Sequence, residues 1–169
     1  PSPIGAKDHQ RLRNPPQPGM NTISVRNHQR AHRIASREYK KAATIALEQL
    51  FQIPAYSLSV TFVSAKRMAE LNEAYLRHEG PTDIITFDYS EADTLDGELI
   101  ICPAVAAEYG QRYDIPLGRE LARYFIHGVL HLNGHDDHAP NDRRQMKREE
   151  NRLLTQLAKR FPVDTLANG

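Results

Sequence analysis

Four of the chain's eight histidines fall within the twelve residues His127–His138, HGVLHLNGHDDH, together with two aspartates. Imidazole and carboxylate are the side chains that hold zinc-like divalent metals. His127 and His131 stand four residues apart. A helix turns once in about 3.6 residues, so both rings leave one face a turn apart, a spacing that lets two histidines grip one ion. Gly134 then stops the helix, and the returning chain offers a third ligand from His135, Asp136, Asp137 or His138. Three protein ligands leave a coordination position for water, the arrangement of a catalytic zinc. A histidine pair at this spacing also occurs by chance on helices that bind nothing. Here the pair lies in an apolar run, FIHGVLHL, and buried imidazoles need partners. In metalloprotease helices of the form H-E-x-x-H, a glutamate general base follows the first histidine. Gly128 occupies that place, which argues against an ordinary metalloprotease and lets another segment approach the helix closely.

Such a helix must be positioned by a core. The chain has 169 residues, 40% of them hydrophobic, enough for one domain with a tail. Residues 1–20 are rich in proline and polar side chains and read as a disordered tail, leaving 21–169 as the folded domain. Within it, TISVRN (22–27) reads as a strand, and residues 31–51 carry helical spacing that ends at Ile53-Pro54. Leu58, Val60 and Phe62 alternate as in a strand, and Met68, Leu71, Tyr75 and Leu76 share a helix face. IITFDY (84–89) is a strand, 95–97 a turn, and ELIIC (98–102) another strand. Pro103 suits the first turn of a helix running toward Tyr113. The histidine helix spans 118–132, with Leu121, Phe125, Val129 and Leu132 toward the core. Asn141 or Asp142 caps a last helix carrying Met146, Leu153, Leu154 and Leu157. The pattern is a single α+β domain, a small sheet of about four strands packed with about five helices, the metal site on the HxxxH helix.

Cys102 is the only cysteine, so no disulfide forms within the chain and a cysteine-rich zinc site is excluded; a reducing cytoplasm fits. No apolar run is long enough to span a membrane, and the first twenty residues carry no signal-peptide block. The net charge of +1 hides a segregation: residues 1–41 and 142–160 are basic, and 70–114 hold eleven acids against Arg77 and Arg112. A basic face of this kind either holds phosphates or is simply a solvated helix surface.

HGVLHLNGHDDH resembles the H-G-x-L-H-L-x-G-Y-D-H signature of the YbeY family, metal-dependent endoribonucleases of rRNA maturation. LNEAYLRHEGPTDIITF (71–87) is similar to that family's L-N-x-x-Y-R and P-T-D-V-L-S-F segments, and GELIICPAVA (97–106) to its G-D-I-x-I-C segment. DRRQMKREE resembles its helix after the metal site. The resemblance implies hydrolysis of single-stranded RNA by metal-activated water, in 16S rRNA 3′-end maturation and ribosome quality control. It implies one zinc ion, with nickel as an alternative, and rRNA and the small ribosomal subunit as partners. The family's tyrosine is His135 here. Its third metal histidine, counted without gaps, falls on Asp137, with His138 one residue later; Asp137 is favoured on register, His138 on ligand type, and His135 stands third. The family's arginine is matched by Leu76, and Arg77 follows it as the candidate for holding phosphate or balancing transition-state charge. Asp136 and whichever of His135 or His138 is not a ligand are candidates for general base or for orienting a ligand. Asp83 reads as a turn residue. Tyr75 and Tyr89 are candidates for base stacking, with core packing an equal reading. Two rival functions stay open: a zinc peptidase whose base comes from elsewhere, and a non-catalytic rRNA-binding assembly factor whose metal is closed by four ligands.

Overall fold

The computed structural model describes Ile4–Gly5, residues 21–76 and residues 82–168. Strands β1 (Ile4–Gly5), β2 (Thr22–Asn27), β4 (Tyr56–Phe62), β5 (Ile84–Asp88) and β6 (Leu95–Ile101) form one sheet in the order β1-β5-β6-β4-β2. β2, β4 and β6 run parallel, and β5 is antiparallel to β6. Four of these strands are the four expected. The fifth, β1, is a two-residue edge pairing Ile4 with Phe87 and Gly5 with Asp88, inside the segment read as a disordered tail.

The helices are α1 (Ser36–Ile45), α2 (Ala65–Leu71), α3 (Pro103–Tyr113), α4 (Leu117–Leu132) and α5 (Pro140–Arg160), and α1 and α2 each continue into a π-helical turn. Side chains of β4 to β6 alternate between two cores. Leu58, Val60, Phe62, Leu99 and Ile101 join the large core beneath α1, α4 and α5. Ile85, Phe87, Ile100 and Cys102 face a smaller one with Val63, Met68 and Leu71. Each fully buried Leu, Ile or Phe contributes about 1.5–3 kcal/mol. α4 is buried on nearly every side and lies over β5 and β6. Gly128 is where it comes closest: a Cβ there would stand 2.8 Å from Leu99 Cδ2 and 3.1 Å from Ile84 Cδ1. Tyr39 of α1 ties the core to the same helix by donating to the Leu121 carbonyl at 2.6 Å.

Three local expectations need correction. Residues 95–97 are not a turn but the start of β6, whose partner register runs from Tyr56–Leu95 to Phe62–Ile101; the reversal lies at Tyr89–Thr94, where Ser90 bonds Asp96. The first helix begins at Ser36 rather than near residue 31, because Arg33–Ile34 (β3) pairs with Ala167–Asn168 (β7). The last helix begins at Pro140 after Ala139, so neither Asn141 nor Asp142 is its cap. The proline provides a preset helical φ and a missing N–H in place of a capping side chain.

Candidate metal centre

α4 carries His127 and His131 on one face, and its end returns the chain toward them. Gly134 adopts φ +96°, a conformation that side chains with a Cβ disfavour, and His135 N–H donates back to the Leu130 carbonyl at 3.0 Å. Asp136 Oδ1 then accepts from the N–H groups of Asp137 (2.7 Å) and His138 (3.2 Å), folding the loop. Arg143 of α5 fastens it by donating to the His138 carbonyl at 2.6 Å.

The result brings His127, His131 and Asp137 together. His127 Nε2 lies 3.0 Å from His131 Nε2, and Asp137 Oδ2 lies 3.4 Å from His131 Nε2 and 3.7 Å from His127 Nε2. Ligand atoms around a tetrahedral ion with bonds of about 2.0–2.2 Å stand roughly 3.3–3.6 Å apart. The three atoms straddle that spacing, so this donor set fits one divalent metal. Burial, with His127 beside it, lowers the His131 pKa and keeps the ring neutral with a lone pair to give. Burial acts to raise Asp137, yet nearby positive charge carries it net below its ordinary value. Asp137 is therefore ionised, as a ligand must be.

Behind His127 stands Glu150 of α5, unmarked by sequence reasoning. Its Oε2 lies 2.6 Å from His127 Nδ1. An ionised carboxylate there accepts a hydrogen bond from Nδ1–H and turns the Nε2 lone pair toward His131 and Asp137. Burial acts most strongly and would raise Glu150, but the His127 bond together with the nearby charges of Lys147 and Arg123 outweighs it, and the pKa falls. Arg123 holds the same carboxylate at 3.4 Å, reaches Asn151 Oδ1 at 2.8 Å, and lies 3.5 Å from Glu120 Oε1. A signal existed: Glu150 falls in register with Met146, Leu153, Leu154 and Leu157, an acid on the apolar stripe of α5. Replacing it by glutamine removes the charge and keeps the shape. Glu150→Gln is expected to weaken metal affinity about 10–100-fold, read by metal-competition titration, with folding retained.

The other named residues fall elsewhere. His138 is exposed, its Nε2 3.7 Å from Asp136 Oδ1 and outside the triad. Asp136, Asp137 and His138 also come close to one another, but on the exposed side of the loop, where Asp136 is already engaged by backbone N–H groups. His135 is half-buried beside Asp142 and Gln145 and belongs to neither group of converging ligand atoms among the described residues. Arg77 lies outside the described residues. Asp83 is a turn residue, its Oδ1 accepting from Ile84 N–H at 2.8 Å. Tyr89 is buried; Tyr75 is partly exposed and set edge-on to Phe87 at 5.5 Å.

Beside the triad, a groove of about 290 Å³ opens between α3, α4 and α5, with His127 and Asp137 in its wall. Tyr109, Glu120, Arg143 and Lys147 also line it.

The sequence model of the family described as Endoribonuclease YbeY matches residues 24–158. The chain is 40% identical over 103 residues to an Endoribonuclease YbeY of Chlorobium luteolum, covering 61% of this chain and 75% of that one. It is 38% identical over 117 residues to one from Bacteroides fragilis, covering 69% and 81%. A solution structure of a Thermotoga maritima protein superposes with a TM-score of 0.60 at 23% identity, over 80% of this chain and 89% of that one; it shares the fold.

Proposed function

Because the chain belongs to the YbeY endoribonuclease family, we propose that it hydrolyses phosphodiester bonds within single-stranded RNA at a divalent metal held by His127, His131 and Asp137. The convergence of two imidazole nitrogens and a carboxylate oxygen at 3.0–3.7 Å carries this reading. The donor set suits zinc, with nickel as the alternative. When bound, such an ion supplies hydroxide from water near neutral pH and polarises the scissile phosphate.

The chain's own residues do the rest. Glu150 keeps the His127 proton on Nδ1 and Nε2 free. Asp136 shapes the loop that presents Asp137. Arg77 is proposed, from the family resemblance alone, to offset charge on the phosphate. The substrate is proposed to be rRNA of the small ribosomal subunit, at the 3′ end of 16S rRNA, in the cytoplasm. No helix among the described residues is long and apolar enough to cross a membrane.

Two observations weigh against the rivals. His138 Nε2 lies 3.7 Å from Asp136 Oδ1, on the exposed side of the loop, which supports three ligands rather than a closed set of four. Gly128, where a peptidase helix carries its glutamate base, packs on Leu99 and Ile84. The test is cleavage of end-labelled RNA. Internal cuts in a single strand, absent from the same sequence in a duplex and absent from peptide substrates, are expected. Trimming only from the ends, or peptide cleavage, would contradict the reading.

A further inference from the structure

Behind His127 a line of charges runs back along α4 and across to α5. Glu120, Arg123 and His127 follow one another three and four residues apart, so their side chains share one face of the helix. Glu150 of α5 meets that face with both carboxylate oxygens engaged: Oε2 lies 2.6 Å from His127 Nδ1, and Oε1 lies 3.4 Å from Arg123 Nη1. The same Nη1 donates to Asn151 Oδ1 at 2.8 Å, and Arg123 Nε stands 3.5 Å from Glu120 Oε1. Glu120 and Glu150 are 1% and 6% exposed, and among the described residues Arg123 is the one Lys or Arg paired with either. Buried carboxylates need such a partner.

We propose that Arg123 is a positioning residue of the metal centre: by holding Glu150 Oε1 it keeps Oε2 on His127 Nδ1, and so fixes the rotation of the ring whose Nε2 binds metal. A glutamate side chain has three torsions and does not by itself keep one pose. A guanidinium is planar, with five N–H donors in a fixed fork. Glu120 at one end and Asn151 at the other set its plane, and that plane sets the Glu150 carboxylate. Lysine keeps the charge but offers one nitrogen, which cannot span Glu120, Asn151 and Glu150 at once. Arg123 is not among the converging ligands, so its effect on the metal passes through Glu150. This role rests on His127 being a metal ligand, and the two claims are separable by experiment.

The test is a double-mutant cycle on the full chain, read by competition titration with zinc. Arg123→Lys is expected to weaken zinc binding about five-fold, and Glu150→Ala about 10–100-fold. In the Glu150→Ala background Arg123→Lys should cost under about two-fold more, because the carboxylate it acts through is gone. A purely structural arginine at the α4–α5 contact would give losses that add. The second readout needs no metal: the ring proton on His127 Nδ1, followed by NMR in the stripped chain, is expected to exchange with water faster in Arg123→Lys than in the parent chain. A chain that binds no zinc would fail the nuclease reading, while this proton still reports on Arg123. Unchanged zinc affinity in Arg123→Lys, additive losses in the cycle, or unchanged exchange of the His127 proton would each overturn the proposal. Should Arg123→Lys fail to fold, Asn151→Ala, an exposed change that releases one end of the guanidinium, decides it by the same proton: faster exchange supports the role, and unchanged exchange overturns it.

Discussion

His131→Ala is expected to reduce RNA cleavage by about a thousand-fold or more, because it removes one of three ligands from the ion that generates hydroxide. The residue is 3% exposed, and burial lowers its pKa, which favours the neutral ring that has a lone pair to give. Two remaining ligands, His127 and Asp137, would hold a divalent ion weakly. The substitution also empties space in a helix buried on nearly every side, so a stability loss of about 2–3 kcal/mol accompanies it. Circular dichroism separates the two effects: a folded protein without bound metal and without cleavage is the expected outcome. Retained metal and retained cleavage in a folded His131→Ala chain would remove α4 from the site.

The second large effect distinguishes two neighbouring residues. Asp137→Ala is expected to lower metal affinity by about a hundred-fold or more, whereas His138→Ala should change it by less than about three-fold. Asp137 Oδ2 stands 3.4 Å and 3.7 Å from the two imidazole nitrogens, while His138 is exposed beside Asp136. Sequence register favoured aspartate and ligand chemistry favoured histidine; the loop's geometry sides with register. Isothermal titration of both variants with zinc gives the answer. The reverse order of effects would mean that the loop rearranges on binding metal and delivers His138.

What could be read in the sequence followed local periodicity. The HxxxH pair, the glycine that ends α4 and the apolar face of Leu121, Phe125 and Val129 all depend on spacings within one helix. The strands β2, β4 and β5 were visible from alternation, and Pro103 marked the start of α3. The start of β6 was missed because Asp96 and Gly97 resemble a turn. Both are buried in the middle of the sheet, and Gly97 sits where a Cβ would meet the Phe87 carbonyl at 2.7 Å. The pairing of Arg33–Ile34 with Ala167–Asn168 joins segments more than 130 residues apart, and no local pattern encodes it. The place of Glu150 on the apolar stripe of α5 is a local signal, but its pairing with His127 and Arg123 comes from the packing of α4 on α5, which no local pattern encodes.

The central claim is that metal at the His127–His131–Asp137 triad makes this chain a ribonuclease. Its most direct test is a chelation and restoration series on a single-stranded RNA. The purified chain is stripped of metal, assayed, then reloaded with one equivalent of zinc or nickel and assayed again. Internal cleavage that vanishes on stripping and returns as metal is restored up to one equivalent is the result the account predicts. Cleavage that continues in the stripped protein, or a fully loaded protein that leaves single-stranded RNA intact, would contradict it.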